Sequence, residues 1–469
     1  MRHFQDLPGP RGIPVFGNLF QVKPARLHLQ CEQWAREFGS LYRLQLGPRK
    51  VVVVCDHTLV AAVLRDRPDS FGRTDRLNEI WTEMGLPPGV FGANNEVWRK
   101  QRRMVMAGFD PAHVKSYFPA LQGVAGRLGQ RWHQAAETGA NIDLQSDLMR
   151  YTVDTIAGLA FGAEVNTLES DHDVIQRHLD QLFPALFNRV LAPFPTWRWW
   201  RSAANRRLDA SLIEVLRAVN QFVAQARERI AANPDLHQQP GNLLEAMLAA
   251  ADQPDSGMDD NQVAGNVLTM LLAGEDTTAN TLAWMIHLLW NNPQALRQAT
   301  HEVRSVCRPG AVPTLEQLAG LDFVEASAHE TMRLKPVAPI LPLQVQREVA
   351  IGDLQLQPGT VVINMMRVDS VSDVHIPQAA EFKPERWLAD GDQSHMAQSA
   401  KRISMPFGAG PRICPGRYLA LLEMKMAIAT LLNDFDILGV GTADGSEPVE
   451  HLAFTMTPLG LQMRLQARL

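Results

Sequence analysis

The sequence predicts a mainly α-helical fold with small β-sheets. Helical patterning of apolar residues runs through much of residues 113–232. Residues 261–291 are apolar nearly all round, which is typical of a long helix buried on every side. Near the N-terminus, β-branched and apolar residues flank Gly47-Pro48, which indicates two short strands joined by a turn. A helical protein with a small sheet near its N-terminus is therefore expected.

The first hundred residues alternate between turns and short elements. Residues 8–17 are rich in Gly and Pro and are expected to form turns at the surface. An amphipathic helix is predicted over residues 28–38, followed by a hairpin of Leu41–Leu46 with Lys50–Cys55. Residues 75–95 hold several Gly and Pro residues and are predicted to form a long loop. Long loops in compact domains are usually functional or disordered, and a plain surface connection is the alternative.

The predicted central helix has an N-terminal capping signal and two acidic residues at its centre. Residues 258–260 offer a helix start, and the pattern continues to residue 291. Glu275 and Asp276 interrupt its apolar centre, which argues against a transmembrane helix. Upstream, residues 193–201 mix aromatic side chains with arginine. Such a segment either covers a packed loop or rests on a membrane surface.

The last third of the chain combines extended segments with a glycine-rich loop. Three prolines after residue 335 keep that stretch extended. Residues 452–456 are predicted to form the edge of a hairpin. Between them, the loop at 406–416 carries one cysteine, and an apolar helical pattern follows it.

The composition is that of an ordinary globular protein. A hydrophobic content of 46% over 469 residues supports a large core. The net charge of −5 shows no basic bias toward nucleic acid. The four cysteines lie far apart without a C-x-x-C pair, so we expect no disulfide framework, zinc site or covalent haem. The N-terminus shows no signal peptide or membrane anchor, and a cytoplasmic location is expected.

Cys414 is the candidate reactive group. Gly408, Gly410 and Pro411 make the preceding loop tight and stiff. Free amides and the dipole at the start of the following helix favour a thiolate. That thiolate could be a nucleophile, a disulfide partner or a metal ligand, and an inert buried thiol is the common alternative. The local signatures of cysteine proteases and redox enzymes are absent.

Five stretches resemble the motifs of the cytochrome P450 family, in that family's order. They are W-R-K-Q-R at 98–102, A-G-E-D-T-T at 273–278, E-T-M-R at 330–333, F-K-P-E-R-W at 382–387 and F-G-A-G-P-R-I-C-P-G at 407–416. Each is weak alone, but together they cover most of the chain. The resemblance implies one P450 domain over residues 1–469, of the soluble bacterial type, with its β-rich parts near 40–60 and 340–365.

The resemblance implies that haem b (iron protoporphyrin IX) lies between the central helix and the helix after the cysteine. Cys414 would be the axial ligand of the iron. Trp98 and Arg102, one helical turn apart, would donate to a haem propionate, and so would Arg412. The alternative for Trp98 and Arg102 is a solvated basic face with one buried tryptophan. Phe407 would pack on the thiolate side and limit water.

One family feature is missing from the propionate contacts. Many relatives place an Arg or His in the extended stretch after E-x-x-R. This chain has Pro342 and Gln344 in that region. The thiolate is therefore better supported by the sequence than the set of propionate contacts.

The resemblance assigns catalysis to Asp276 and Thr277, which in the family deliver protons during oxygen activation. The Thr277 hydroxyl can bond to the carbonyl of Ala273 and open the helix into a groove. A helix cap or a buried polar network is the alternative. The residues expected to line an apolar substrate pocket are Ala273, Val337, Ala338, Ile340 and Phe454.

A structural network is also implied. Glu330 and Arg333 lie one helical turn apart, and Arg386 follows in the P-E-R stretch. By resemblance these three residues form a buried network that holds the haem-binding region in place.

The implied function is a monooxygenase (hydroxylase) that inserts one oxygen atom from O2 into a small apolar organic substrate. Electrons would come from a separate ferredoxin- or flavodoxin-type partner, which Arg99, Lys100, Arg103 and Lys401 could dock. A peroxide-driven peroxygenase is one alternative, against which the acid–threonine pair argues. A non-catalytic haem sensor or electron carrier is another, and the 273–278 motif would then have no purpose.

Overall fold

A computed structural model describes residues 1–109, 115, 117–163, 165–170, 174–388 and 400–468. The α-helices of these ranges are α1 (Leu27–Phe38), α2 (His57–Arg65), α3 (Asp75–Glu83), α4 (Asn95–Gly108), α5 (Phe118–Thr138), α6 (Leu144–Phe161), α7 (Val174–Leu191), α8 (Thr196–Trp199), α9 (Ala203–Ala232), α10 (Leu243–Ala251), α11 (Asp260–Asn291), α12 (Pro293–Val306), α13 (Leu315–Ala319), α14 (Asp322–Leu334) and α15 (Arg417–Asp434). The predicted mainly helical fold is confirmed.

The strands form small sheets around this helical body. They are β1 (Leu41–Leu46), β2 (Arg49–Val54), β3 (Phe71–Gly72), β4 (Ile142–Asp143), β5 (Ile340–Val345), β6 (Val349–Ile351), β7 (Leu354–Leu356), β8 (Val361–Met365), β9 (Phe435–Gly441), β10 (Val449–Leu452), β11 (Met456–Leu459) and β12 (Gln462–Ala467). One sheet has the order β1-β2-β8-β5-β3 and another the order β4-β12-β9. Two hairpins, β6-β7 and β10-β11, complete the set in the described ranges.

The N-terminal hairpin was predicted within one residue at each end. Strands β1 and β2 pair antiparallel, with Leu46 opposite Arg49 across the Gly47-Pro48 turn. Strand β2 then pairs parallel with β8, so the segment around 340–365 joins the N-terminal hairpin in one sheet. The helix expected over residues 28–38 is also confirmed as α1. This sheet brings two distant parts of the chain together.

The central helix α11 is present as predicted and packs against α6, α9, α14 and α15. Asp259 caps its start, accepting from the Gln262 N–H while the Gln262 side chain accepts from the Asp259 N–H. Most of its residues are buried, as the all-round apolar pattern required. Across the ranges that the structure describes, no helix is both long and apolar enough to span a membrane.

The loop predicted over residues 75–95 is only partly a loop, because α3 occupies its first half. Thr74 caps this helix through the Leu77 N–H. Leu77, Ile80 and Trp81 follow the spacing of one buried helix face. The Gly and Pro residues that suggested a loop all follow the end of α3 at Glu83. The helical prediction for 113–232 is confirmed by α5, α6, α7 and α9, apart from residues 113, 114, 116, 164 and 171–173, which lie outside the described ranges.

Candidate functional site

The cysteine loop is fixed by its own backbone and by helix α2. The Cys414 N–H donates to the Phe407 carbonyl at 2.9 Å, which closes the loop. Gly408 and Gly410 have φ angles of +76° and +71°, which favour glycine. A β-carbon on Gly410 would lie 2.5 Å from the Leu64 carbonyl oxygen at the end of α2. Cys414 is therefore held in one position just before α15.

Burial raises the pKa of the Cys414 thiol above its ordinary value. The N–H of Gly416 and the positive charges of Arg102 and Arg417 act in the opposite direction, but their effect is smaller. The Gly416 N–H at the helix start therefore favours the thiolate, as expected, but desolvation has the larger effect on the pKa. A bound metal ion removes the proton from a coordinating thiol. The position therefore suits a metal ligand better than a free nucleophile.

Helix α4 and the cysteine loop meet at three of the predicted cofactor-binding residues. Arg102 donates from Nη2 to the Ile413 carbonyl at 2.8 Å. The Arg412 guanidinium lies over the Trp98 ring, 5.1 Å from its centroid. Its Nη2 also donates to carbonyls of the 90–93 segment. The structure thus brings Trp98, Arg102 and Arg412 together beside the cysteine loop.

Two more arginines, which the sequence analysis missed, belong to the same region. Burial lowers the pKa of Arg67 to about 10 and that of Arg412 to about 9, and the charges of Arg67 and Arg102 add to the effect on Arg412. Burial also lowers the pKa of Arg73 well below its ordinary value, with further contributions from Arg67 and Arg412. Four guanidinium groups therefore repel one another beside the cysteine loop. We call Arg67, Arg73, Arg102 and Arg412 the guanidinium cluster.

The guanidinium cluster has no counter-charge within the described ranges. None of its members forms an ion pair with a carboxylate there, and Arg412 Nη1 and Arg67 Nε lack a hydrogen-bond partner among the same residues. Cations partly removed from water without a counter-charge are costly, so this arrangement favours an anionic ligand. The two propionates of haem b carry that charge at one edge of the porphyrin. The residues present therefore fit haem. Arg73 directly follows Gly72, which pairs with Gln344, so it lies beside the extended stretch that has no arginine of its own.

Replacing Arg412 with Leu is expected to weaken haem binding about tenfold to a hundredfold, since a hydrogen bond to a charged group contributes about 1.5–3 kcal/mol. The rate of haem transfer to an excess of apomyoglobin measures this change. Arg207→Leu, at an exposed arginine of α9, is the matched control and should leave the rate unchanged. Equal transfer rates in the two variants would contradict the assignment of the cluster to the cofactor.

The predicted hydrogen bond in the central helix is present. The Thr277 hydroxyl donates to the Ala273 carbonyl at 2.7 Å. Helix α11 nevertheless runs unbroken through this turn, so the predicted opening of its backbone is wrong. A threonine hydroxyl that bonds to the carbonyl one turn back can leave the helix intact when neighbouring helices pack around it. Any proton route must therefore use side chains.

Asp276 is held by two side chains, one of them distant in sequence. Its Oδ1 accepts a 2.6 Å hydrogen bond from Asn280 Nδ2, and its Oδ2 accepts one from the Thr455 hydroxyl at the turn of the β10-β11 hairpin. Burial raises the pKa of Asp276, and the two hydrogen bonds only partly offset this rise. The acid is therefore both oriented and poised to hold a proton.

A cavity of about 390 Å³ reaches Asp276 between α6, α7, α11 and the β10-β11 hairpin. Asp180 and Glu275 also line it. Burial and the nearby charge of Asp276 raise the pKa of Asp180 to about 7, and burial raises that of Glu275 well above its ordinary value. Glu275 Oε1 has no hydrogen-bond partner among the described residues. These carboxyl groups can carry protons near neutral pH.

The predicted pocket residue Phe454 belongs to an aromatic group. Its ring stacks on Phe183 at 4.4 Å between centroids and lies 5.8 Å from that of Phe91. The sequence analysis missed both partners, which lie on α7 and in the loop after α3. The Met456 N–H donates to the Val337 carbonyl at 2.8 Å, which ties the extended segment to this hairpin.

The other predicted pocket residues differ in their surroundings. Val337 is half-buried, while Ala273 and Ala338 have accessible surface. Ile340 is buried in the core that the five-stranded sheet shares with α1. The hydrogen bond from Thr455 to Asp276 places the hairpin turn next to the central helix, so Phe454 and Ala273 come from adjoining elements.

The three residues predicted to form a network around Glu330 contact one another. Arg333 binds both carboxylate oxygens of Glu330, at 2.8 and 2.7 Å, and Arg386 donates to one of them at 2.9 Å. Trp387 Nε1, which the sequence analysis missed, donates to the other at 2.8 Å. Arg333 also donates to the Ser370 carbonyl at 2.6 Å. The network thus ties α14 to the segments after β8.

The predicted basic docking surface is smaller than the sequence suggested. Arg99 forms ion pairs with Asp69 and Glu96, which offset its charge. The remaining members are exposed and form no ion pair within the described ranges; they are Lys100, Arg103 and Lys401.

Comparison with known proteins agrees with this geometry. The model of the family described as Cytochrome P450 matches residues 7–465. The protein LUTEIN DEFICIENT 5, chloroplastic, of Arabidopsis thaliana is 26% identical over 95% of this chain and 74% of its own length. Cytochrome P450 3A15 of Cavia porcellus is 25% identical over 92% of this chain and 85% of its own length.

Fusion proteins and solved structures match as well. A self-sufficient cytochrome P450 monooxygenase of Oidiodendron maius is 27% identical over 92% of this chain, which spans 39% of that longer protein. The crystal structure of the cytochrome P450DA haem domain superposes with a TM-score of 0.83, at 23% identity, over 99% of this chain and 98% of that one. This last match shows the fold.

Proposed function

Because this chain belongs to the cytochrome P450 family, whose members bind haem b and act as monooxygenases, we propose that Cys414 is its axial haem ligand and that it oxidises a small apolar organic substrate. The ligand proposal rests on two features that occur side by side in the structure. Cys414 is held rigidly before α15, and one buried and three half-buried guanidinium groups without a counter-charge in the described ranges lie beside it. Haem meets both requirements at once.

The pocket residues support an apolar substrate. The rings of Phe91, Phe183 and Phe454 meet where the hairpin turn approaches α11. Stacked aromatic side chains bind flat or aliphatic apolar molecules well and exclude water. Hydroxylation or a related oxidation at a carbon held against these rings is the proposed reaction.

The bound haem supplies oxygen activation and electron acceptance, and the protein contributes substrate binding and protons. Asp276, held by Asn280 and Thr455, would keep a proton at its carboxyl group and pass it to the Thr277 side of α11. Its raised pKa favours the protonated form. Asp180 and Glu275 line the cavity that reaches Asp276, and they would return a proton to its carboxylate.

Electrons are proposed to come from a separate protein of the ferredoxin or flavodoxin type. The exposed Lys100, Arg103 and Lys401 could steer an acidic partner. Some relatives are named as bifunctional P450–reductase proteins, in which one chain holds both functions. The cysteines of the described ranges are all free, which supports a reducing compartment such as the cytoplasm.

The proposed reaction is tested with isotopically heavy O2. A library of apolar compounds is first screened for a substrate-induced shift of the Soret band. Turnover of a hit with a surrogate ferredoxin or flavodoxin system should give a product with one heavy oxygen atom. Turnover with peroxide alone would instead support a peroxygenase. Haem binding without any spectral shift or product would support the non-catalytic alternative.

Asp276→Asn is expected to lower the rate of product formation about a hundredfold, within the usual range for loss of an acid–base group. The substrate-induced Soret shift should persist, since the amide keeps the side-chain size. Electron consumption, product yield and the solvent isotope effect on turnover are measured together. Glu447→Gln, at a carboxylate that is 90% exposed, is the control. An unchanged product yield in Asp276→Asn would refute the proton route.

A further inference from the structure

Two imidazoles and one carboxylate that are not part of the candidate active site lie close together; they belong to His57, His375 and Asp369. His57 Nδ1 lies 2.8 Å from Asp369 Oδ2, and His375 Nε2 lies 3.6 Å from the same oxygen. The three potential ligand atoms all lie within 4.8 Å of one another. The side chains of His57 and Asp369 are 12% and 13% exposed, whereas that of His375 is 31% exposed. The group is therefore open to solvent on the His375 side.

We propose that His57, Asp369 and His375 bind one divalent transition-metal ion of the zinc type, with water as the fourth ligand. Imidazole nitrogen and carboxylate oxygen are zinc ligands at about 2.0–2.2 Å, and two ligands of a tetrahedral ion then lie about 3.3 Å apart. The 2.8 Å separation is a hydrogen bond between His57 Nδ1 and Asp369 Oδ2, which a bound ion would replace, and the 3.6 Å separation is close to the value for two ligands of one ion. The two imidazoles favour zinc, copper or nickel over magnesium or calcium, which prefer oxygen ligands.

The carboxylate of this site is already oriented by the backbone. Asp369 Oδ2 accepts a 2.8 Å hydrogen bond from the His57 N–H, in addition to facing both rings. Hydrogen bonds of this kind fix the ligand before the ion arrives and are a common support for metal sites. The two imidazoles meet nearly edge to face, with ring centroids 4.9 Å apart and planes at 73°.

The site joins two segments that both reach the haem-binding region. His57 begins α2, whose last turn contacts Gly410 of the cysteine loop. Asp369 precedes Ser370, whose carbonyl accepts from Arg333 of the Glu330 network. A bound ion would therefore clamp α2 to the 369–375 segment. Its expected effect is on stability, independent of the chemistry at Cys414.

The proposal is tested on the tag-free holoenzyme. Isothermal titration calorimetry measures zinc binding, and X-ray absorption at the zinc edge identifies the ligand atoms. We expect one ion per chain, imidazole scattering in the absorption spectrum, and a higher melting temperature with zinc. His375→Ala should weaken binding at least tenfold and remove the shift in melting temperature. Asp369→Asn, which keeps the side-chain shape, should also weaken binding. Both variants should keep their haem and their substrate-induced Soret shift.

His301→Ala is the matched control, since His301 is an exposed histidine on α12, outside the group. It should bind zinc like the parent protein. Equal zinc affinity in His375→Ala and the parent protein, or zinc-edge spectra without imidazole scattering, would overturn the proposal. The zinc stoichiometry and the zinc-edge spectrum do not depend on how the haem is ligated, so these two readouts distinguish failure of this proposal from failure of the proposed function.

Discussion

Cys414→Ala is expected to remove the red-shifted Soret band of the ferrous-carbonyl form and to abolish monooxygenase turnover. In this family the thiolate ligand donates electron density to the haem iron, which favours cleavage of the O–O bond. Alanine has no atom that can ligate the iron. Carbon monoxide difference spectra of the reduced protein measure the first effect, and product formation with a surrogate electron donor measures the second. The expected change is a complete loss, the largest among the substitutions considered.

Cys307→Ala supplies the matched control, because Cys307 is a free, buried cysteine at the end of α12, outside the cysteine loop. It should keep both the band and the activity. Circular dichroism of the two apoproteins would show whether Cys414→Ala still folds. A folded Cys414→Ala protein that kept the red-shifted band would show that another residue ligates the iron.

The parts of the fold that the sequence predicted well depend on local patterns. Helix α11 was predicted because its apolar residues surround the axis and Asp259 marks its start. The β1-β2 hairpin was predicted because Gly47-Pro48 separates an alternating apolar stretch from a run of valines. Helix α3 was missed because its buried face rests on Leu77, Ile80 and Trp81, too short a pattern beside the following Gly and Pro residues.

The residues of the candidate site likewise fall into those that local motifs predicted and those that only the tertiary structure revealed. Trp98, Arg102 and Arg412 lie in compact motifs, so their sequence context identified them. Arg67 and Arg73 come close to Arg412 only because the loop around β3 packs against the cysteine loop, so the sequence alone did not identify them as site residues. The contact of Thr455 with Asp276 joins residues 179 positions apart in sequence. No local spacing contains information about such a pairing, and only tertiary structure can supply it.

Glu330→Gln is expected to lower the free energy of unfolding by about 3–5 kcal/mol, because it leaves buried cations without their anion. Glu330 and Arg333 are fully buried and Arg386 nearly so, and the carboxylate accepts hydrogen bonds from both arginines and from Trp387. A domain is typically stable by about 5–15 kcal/mol, so this loss is a large share of the total. Denaturant midpoints with haem bound, and the haem content after purification, measure the effect.

The cause of that loss can be separated from simple repacking. Adding Arg386→Met to Glu330→Gln removes one of the stranded charges, so the double variant should be more stable than the single one. If the loss came only from altered packing, the second substitution would lower stability further. Glu316→Gln, at an exposed glutamate of α13, should change stability by less than about 0.5 kcal/mol. An equally small change in Glu330→Gln would mean that the guanidinium groups find other partners, and that the cysteine loop does not depend on this network.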